Sequence, residues 1–302
     1  MLNTPVLFIV YNRMETTKQV FAKIKEVKPS KIYIAADGPK RPEDQKKVDQ
    51  VRKYILENID WPTEIRTLFQ EKNLGVQRAV NESLQWFFSF EERGIILEDD
   101  CLPTAGFFKY CEELLELYRN DTTIGIITGR NELGVYETNQ TGDYFLSTRG
   151  FVWGWATWRD RIKNLDISIF EKIKIKEMAD LFRNTSSILE FVYRLKNVQE
   201  LKNNRVDTWD YQWSICLLLN AQFTLVPKKN MVQNIGLGNV STHKFELDID
   251  DVEVFENLGE INHPDKLTVE KTYTWKTVKK HTGGLLKVLI PRFLVKTVRY
   301  FK

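Results

Sequence analysis

The chain has 302 residues, of which 42% are hydrophobic and 12% aromatic, so it can bury the core of one large or two small globular domains. Three cysteines without CxxC spacing argue against a disulfide framework and a zinc site, and favour a reducing cytoplasm. The formal net charge of +3 includes nine Lys or Arg and no acid from Lys271 to Lys302, which leaves residues 1–270 acidic. Because this body carries no nucleic-acid motif, nucleic acid is not expected as a partner.

The first hundred residues alternate strand and helix patterns. The apolar run PVLFIVYN (5–12) predicts a first strand, since it is too short to cross a membrane and lacks the basic stretch that precedes a signal-peptide core. Three further strands are predicted, each followed by a helix: KIYIAADG (31–38), EIRTLFQ (64–70) and GIILED (94–99). This alternation predicts an α/β fold with a mostly parallel central sheet flanked by helices.

Polar residues follow the carboxyl ends of these four strands, where ligands of such sheets bind. They are Asn12 and Arg13, Asp37 and Gly38, residues 71–73, and the acidic triplet Glu98, Asp99 and Asp100. The first βα turn has neither a GxGxxG nor a GxxxxGK[ST] pattern, so a dinucleotide or Walker-type site is not supported. Carboxylates at this edge instead indicate a nucleotide held through Mn²⁺ or Mg²⁺, which prefer oxygen ligands.

The segment EDDCLPTAGFFKYCEELL (98–115) resembles the EDD version of the DxD motif of GT-A glycosyltransferases, and is most similar to the N-acetylglucosaminyltransferase I family. Further matches in order are Arg13, Asp37 with Gly38, GFVWGWATW (150–158) and TWDYQWSICLLLNAQFTLVP (208–227). The resemblance covers residues 4–230. It implies a GT-A fold and a metal-dependent, inverting transferase that moves a sugar from a UDP-sugar, such as UDP-N-acetylglucosamine, to a glycan or lipid-linked glycan acceptor of cell-surface polysaccharide synthesis.

The same resemblance implies roles at the donor edge. Asp100 would bind the metal directly, while Glu98 and Asp99 would accept hydrogen bonds from hydroxyl groups of the nucleotide sugar. Asp37 would contact the base or ribose, and Arg13 would lie near the nucleotide. Ordinary explanations exist for each: a solvated acidic turn for the triplet, turn chemistry for Asp37 in its D-G-P sequence, and a surface salt bridge for Arg13.

Two further donor and catalytic candidates come from helix starts. A helix beginning after Gly75 would aim free N–H groups at the phosphate edge, where Arg78 adds a charge or else is simply solvated. Asp210 matches the acid that the family uses as catalytic base, the carboxylate that takes the proton of the acceptor hydroxyl in an inverting transfer. Asp207 is its rival, and either acid alternatively caps a helix.

Aromatic and histidine residues supply the remaining site candidates. Trp153 and Trp155 are predicted to form an acceptor floor against the apolar face of a sugar, with core packing as the alternative. The Gly-rich segment NIGLGNVSTH (234–243) is interpreted as a loop that closes over the donor, with His243 as a metal ligand or diphosphate contact. A plain surface histidine is the alternative.

The organisation follows from these features. Residues 1–265 are expected to form one GT-A domain, with a donor half of about 1–130 and an acceptor half of about 131–265, followed by a tail of residues 266–302. From Lys279 onward the tail has the pattern of a basic amphipathic C-terminal helix. Such a helix favours either an anionic membrane surface, hence a peripheral position on the inner face of the cell membrane, or packing on the domain.

Two other functions are compatible with a nucleotide-binding α/β chain. A sugar-1-phosphate nucleotidyltransferase is expected to have a Gly-rich loop with a basic residue after the first strand, which this sequence lacks. A noncatalytic glycan-binding module would require neither metal nor Asp210.

Overall fold

A computed structural model describes residues 1–203, 207–236, 252–256 and 259–284. The helices and strands in the first half of the chain are β1 (Val6–Val10), α1 (Met14–Val27), β2 (Lys31–Ala36), α2 (Gln45–Asn58), β3 (Glu64–Phe69), α3 (Val76–Phe90), β4 (Arg93–Glu98), β5 (Cys101–Pro103), α4 (Ala105–Leu117), β6 (Ile124–Thr128) and β7 (Tyr144–Ser147). They are followed by β8 (Trp155–Trp158), α5 (Arg159–Ile162), α6 (Ile169–Lys172), α7 (Ile175–Asn184), α8 (Ile188–Lys202), α9 (Asp210–Leu219), β9 (Phe223–Pro227), β10 (Val232–Asn234) and α10 (Lys271–Thr282).

Eight strands form one mixed sheet in the order β3-β2-β1-β4-β8-β6-β9-β7. The strands β1 to β4 run parallel to one another, and β6 is parallel to β9. The strand β8 runs antiparallel between β4 and β6, and β7 is antiparallel to β9 at the edge. The predicted α/β class, with a mostly parallel sheet flanked by helices, is therefore confirmed.

Both faces of the sheet are buried at its central strands, as expected for parallel strands covered by helices, whereas the edge strand β3 has no buried residue. Successive side chains of a strand point to opposite faces. In β1, Phe8 therefore packs with Phe21 of α1 on one face, while Leu7 packs with Leu84 of α3 on the other. The helices α1 and α3 thus pack on opposite faces of the sheet at β1.

The helix α10 lies against the sheet and α8. Its residues Tyr273, Thr274, Thr277 and Val278 are buried, and Lys280 Nζ donates a hydrogen bond to the Glu132 carbonyl at 2.9 Å. The beginning of the expected tail therefore packs on the domain. The greater part of the amphipathic pattern, residues 285–302, lies outside the described residues. Among those described, no helix combines the length and apolar character required to span a membrane.

Candidate functional site

The carboxyl ends of the first four strands meet at one level of the sheet. The register pairs Val10 with Ala36, Ala36 with Phe69, and Ile9 with Glu98. The polar residues that follow these strands are therefore brought to a common edge, as the sequence indicates. This edge is the candidate site.

Arg13 supplies the positive charge beside the acidic triplet. Its Nη1 lies 2.6 Å from Asp100 Oδ2 and 3.9 Å from Asp99 Oδ1. The other oxygen of Asp99 accepts a hydrogen bond from the Tyr11 backbone amide at 3.0 Å. The β1–α1 turn thus binds the triplet from the neighbouring strand, and a guanidinium partly neutralises three adjacent carboxyl groups.

Arg13 nevertheless does not balance the negative charge of the triplet. Burial, with the charges of Asp100, Asp99 and Asp210, raises the pKa of Glu98 to about 8. Burial and the charge of Asp100 raise the pKa of Asp99 to about 7, although Arg13 and the Tyr11 amide oppose this shift. One arginine therefore does not suffice to keep all three groups ionised near neutral pH, and a second cation at this edge would favour their ionised forms.

Asp100 lies under the segment that follows β10. The strand β10 pairs with β5, and the Ile235 amide donates to the Asp100 carbonyl at 2.8 Å. Gly236 passes so close that a Cβ on it would lie 2.3 Å from Asp100 Oδ2. The absence of a side chain at position 236 thus leaves room for the Asp100 carboxylate.

The triplet fits a divalent cation only as part of a larger ligand set. Its carboxylate oxygens are the ligand type that Mn²⁺ and Mg²⁺ prefer. Within the described ranges, no three His, Cys, Asp or Glu side chains are arranged to surround one metal ion. A cation at Asp100 would therefore need water or ligand phosphate oxygens to complete its coordination, as Mg²⁺ commonly does in nucleotide sites.

Asp210 is at the first position of α9. Its charge is one of those that raise the pKa of Glu98, so the two carboxyl groups lie within electrostatic range of each other. The Thr208 hydroxyl donates a hydrogen bond to Asp210 Oδ1. Trp209 is 3% exposed and packs against Trp155, with ring centroids 5.6 Å apart. The buried tryptophan thus fixes the start of α9 beside the strand ends.

Asp207 lies elsewhere along the same edge. The Cβ that a side chain would place on Gly75 would be 3.4 Å from Asp207 Oδ2. Gly75 is the residue before α3, with a φ of 80°, and as a glycine it has no side chain to cap this helix. Asp207 therefore lies near the start of α3, where the helix dipole favours a negative charge.

Asp37 is occupied by hydrogen bonds within the protein. Its Oδ1 accepts from the backbone amides of Gly38 and Leu74 at 2.8 Å each. Its Oδ2 accepts from Asn73 Nδ2 at 2.8 Å and from the Gly75 amide at 3.2 Å. The side chain thus connects the end of β2 to the loop before α3, which agrees with the turn interpretation of this residue.

Two expected site residues have surroundings that differ from those expected. The Arg78 side chain is 63% exposed and forms a salt bridge of 3.4 Å with Glu82, one turn along α3, so it corresponds to the solvated alternative. Trp155 is 0% exposed in β8 and packs between Trp209 and Trp213. The expectation that Trp155 forms an acceptor floor is corrected, because a buried ring offers no face to a sugar.

Of the two remaining candidates, Trp153 and His243, only Trp153 lies in the described part of the chain. Trp153 is partly buried before β8, and the Arg130 guanidinium lies 5.0 Å from its ring centroid. The Arg130 guanidinium thus covers one face of the Trp153 indole. The expectation for His243, with most of its Gly-rich loop, lies outside the described residues.

Arg52 was not singled out from the sequence, although it organises the site edge. Its Nη2 donates to the carbonyls of Asp37 at 3.1 Å and of Gln70 at 2.7 Å. It therefore ties the ends of β2 and β3 together from α2. Since α2 is rich in charged residues, its spacing gave no sign that this arginine differs from its solvated neighbours.

No family model and no curated protein matches the sequence. Among solved structures, the mannosyltransferase PcManGT from Pyrobaculum calidifontis, in complex with GDP-Man and Mn²⁺, aligns with 12% identity and a TM-score of 0.40 over 73% of this chain and 70% of that one. UDP-glucose pyrophosphorylase complexed with UDP-glucose aligns with 8% identity and a TM-score of 0.39 over 78% and 94%. HddC from Yersinia pseudotuberculosis gives 10% and 0.34 over 53% and 79%. TM-scores this low do not establish a common fold, and the comparisons do not support the N-acetylglucosaminyltransferase I family in particular.

Proposed function

We propose that this chain is a metal-dependent, inverting glycosyltransferase that moves a sugar, GlcNAc as first choice, from a UDP-sugar to a glycan or lipid-linked glycan acceptor. The observation that carries the proposal is the acidic triplet paired with Arg13 at the carboxyl edge of a mostly parallel sheet, within electrostatic range of Asp210. One group of carboxylates suits a cation and a donor, and a separate carboxylate beside them suits a base.

The donor would be held by the triplet and Arg13. Asp100 is the proposed metal ligand, and Glu98 and Asp99 are the proposed acceptors for donor hydroxyl groups. A divalent cation here supplies positive charge that stabilises the departing diphosphate. Arg13, which lies between Asp99 and Asp100, has a planar guanidinium that suits phosphate oxygens as well as carboxylates.

Asp210 is the proposed base. An inverting transfer requires a carboxylate that takes the acceptor's proton while the acceptor oxygen attacks the anomeric carbon. The Thr208 hydroxyl donates a hydrogen bond to Asp210 Oδ1, which orients the carboxylate at the start of α9. Its second oxygen is the one proposed to take the proton of the acceptor.

The second candidate function is a sugar-1-phosphate nucleotidyltransferase. It would use the same carboxylates to hold a metal and a nucleotide, but it must also bind a nucleoside triphosphate. The turn between β1 and α1 contains only Tyr11, Asn12 and Arg13, without a glycine. This short turn offers few backbone amides to a triphosphate, which favours the transferase.

The proposed location follows from the same assignment. We propose that the enzyme works in the cytoplasm at the inner face of the membrane, where its basic tail binds anionic lipid and brings the site to a lipid-linked acceptor. Sedimentation of the full chain with vesicles of anionic and of neutral phospholipid tests this. Pelleting with anionic vesicles, lost when the chain is ended after Gly284, is expected; equal behaviour of both chains contradicts it.

Calorimetric titration tests the donor assignment. A panel of UDP-sugars is titrated into the protein with Mn²⁺ or with EDTA, and into the Asp100→Ala variant. We expect one UDP-sugar to bind only with metal, and Asp100→Ala to abolish this binding. Asp180→Ala, which removes a surface acid paired with Arg183, is the matched control and should bind as wild type does. Absence of binding by every UDP-sugar with metal present contradicts the proposal.

A further inference from the structure

Four arginines are almost completely buried in the described part of the chain: Arg130, Arg149, Arg161 and Arg194, at 1%, 5%, 2% and 3% exposure. Three of them are anchored by acceptors. Arg130 pairs with Glu132 at 3.1 Å, and Arg194 pairs with Glu190 at 3.3 Å. Arg161 donates to several backbone carbonyls, including that of Asp121 at 3.0 Å. Each of these three charges is therefore compensated by at least one acceptor, although Arg194 Nε itself has no partner.

Arg149 is different from the other three. No acceptor among the described residues takes a hydrogen bond from its guanidinium, and its fully buried Nη1 is without a partner. The guanidinium instead lies between two aromatic rings, 5.0 Å from the centroid of Phe151 and 5.0 Å from that of Tyr193. Stacking of this kind uses the faces of the guanidinium and leaves its N–H edge free.

A buried guanidinium with unused donors is costly, because it has lost its water without gaining acceptors. The fork of N–H groups at its edge matches two oxygens of a carboxylate or phosphate. Buried polar groups without partners are rare in folded proteins, so each calls for a physical explanation. A ligand that supplies the missing oxygens is such an explanation.

Arg149 follows β7, in the loop that leads to Trp153 and β8. Burial and the charges of Tyr193 and Asp210 raise the pKa of Tyr211, and the charge of Arg149 opposes this shift. Tyr211 is on the first turn of α9, directly after Asp210. The charge of Arg149 therefore reaches the turn of α9 that also carries the proposed base.

We propose that Arg149 forms an anion-binding subsite, which holds a phosphate or carboxylate group of the acceptor while Asp210 faces the acceptor hydroxyl. The identification of the ligand as an acceptor rests on the proposed function. The anion-binding property does not, since it follows from the burial, stacking and unused donors of the side chain. A phosphate would come from a lipid-linked or phosphorylated acceptor, and a carboxylate from an acidic sugar.

Ligand-observed NMR tests the subsite with three probes: inorganic phosphate, glucuronate and neutral glucose. Each is titrated into wild type and Arg149→Met, with and without saturating UDP and Mg²⁺ to fill the donor site. We expect phosphate or glucuronate to bind wild type, to remain bound with UDP present, and to bind Arg149→Met about ten-fold or more weakly. Glucose should not distinguish the two proteins. Preference for phosphate or for glucuronate identifies the source of the anion.

Thermal unfolding without ligand separates a binding role from a structural one. Arg149→Met loses no hydrogen bond but loses the contacts of the guanidinium with Phe151 and Tyr193, so its melting temperature should stay close to that of wild type. Arg194→Met is the matched control and should melt lower, because Glu190 and the Thr148 carbonyl lose a donor. Arg149→Lys, which keeps the charge but not the fork, should retain weaker anion binding. A fall with Arg149→Met as large as that with Arg194→Met overturns the proposal.

The failures of the two proposals are distinguishable. Equal anion binding by wild type and Arg149→Met overturns the subsite, even if UDP binds with metal. Displacement of the anion by UDP overturns its place on the acceptor side. If UDP does not bind while anion binding still depends on Arg149, the subsite stands and the transferase assignment fails.

Discussion

Asp210 is held in place by contacts that do not depend on its charge. Trp209 before it is buried, and Gln212 Nε2 donates to the Thr208 carbonyl at 2.7 Å, which closes the first turn of α9. Asparagine at position 210 would therefore keep the shape of this turn, and its amide oxygen could still accept from the Thr208 hydroxyl. What it cannot do is take a proton at neutral pH.

We expect Asp210→Asn to lower kcat by about 10²–10⁴-fold, the usual contribution of general base catalysis. Binding of the UDP-sugar should change little, because the donor is assigned to the triplet. Steady-state kinetics with calorimetry on the same variant measures both. Asp207→Asn is the control, and its smaller effect on kcat is expected from its place near α3. The reverse ranking of the two variants would assign the base to Asp207.

Glu98 makes the stability of the metal-free protein depend on pH. Its pKa is raised from 4.5 to about 8, so the folded protein holds this proton more tightly than the unfolded chain does. The contribution of Glu98 is therefore full below pH 4.5 and is lost as the pH rises toward 8. Glu98→Gln, which has no proton to lose, should gain stability relative to wild type over this range.

Urea unfolding at pH 5 and pH 8 measures this difference. We expect the free energy of unfolding of Glu98→Gln, relative to wild type, to rise by on the order of 1–3 kcal/mol between the two values. Glu137→Gln is a control for a carboxyl that faces no such cluster. If the difference in free energy of unfolding between Glu98→Gln and wild type does not change with pH, the pKa of Glu98 is not raised in the folded protein.

The residues that the sequence predicted well are those whose position follows from strand ends. The triplet and Arg13 met because parallel strands terminate at one edge. Trp155 was assigned to the acceptor because an aromatic cluster with glycines has no periodicity that separates surface from core. Arg149 was missed because a single arginine between two strands gives no indication of its burial.

Among the structural elements, the loop before α3 depends on one side chain. Asp37 accepts four hydrogen bonds that connect this loop to β2. We expect Asp37→Ala to lower the free energy of unfolding by about 2–3 kcal/mol, as expected for loss of hydrogen bonds to a half-buried carboxylate. Urea unfolding measures it. If Asp37→Ala is as stable as wild type but no longer binds the UDP-sugar, Asp37 contacts the donor, as the resemblance implies.

The pairing of β5 with β10 brings Gly236 against Asp100. We expect Gly236→Ala to weaken metal-dependent UDP-sugar binding about ten-fold or more, because the new Cβ displaces the proposed metal ligand. The free energy of unfolding should also fall, because the new Cβ would lie 2.8 Å from Asp100 Cβ, a clash that rotation of the carboxylate does not relieve. Calorimetry with Mn²⁺ measures the binding. Unchanged metal dependence would remove Asp100 from the metal site.

The longer strands and helices were predictable because their apolar residues repeat over five or more positions. The helix predicted after the first strand is found at Met14–Val27. The strands β5 and β10 have three residues each, and β7 and β8 have four, so no period can be read from them. Their places are set by pairing with distant segments, which is a tertiary effect.

At the scale of the whole molecule, the sheet crosses the expected boundary near residue 130 between donor and acceptor halves. The strand β8 pairs with β4 on one side and with β6 on the other. One hydrophobic cluster contains Phe8 and Ile95 together with Ala156 and Leu225. The donor edge and the proposed base therefore belong to a single body, and a change of register in β8 would disturb both.

We therefore expect the chain to unfold in urea as one cooperative unit. Far-UV circular dichroism, which follows the whole backbone, and tryptophan fluorescence, which is weighted toward the Trp155, Trp209 and Trp213 cluster, should give coincident transitions. A fragment of residues 1–130 should not fold, because removal of β8 exposes the edge of β4 and the face that Ala156 covers. Two separated transitions, or a stably folded fragment, would show instead that the donor half is an independent domain that could bind nucleotide without Asp210.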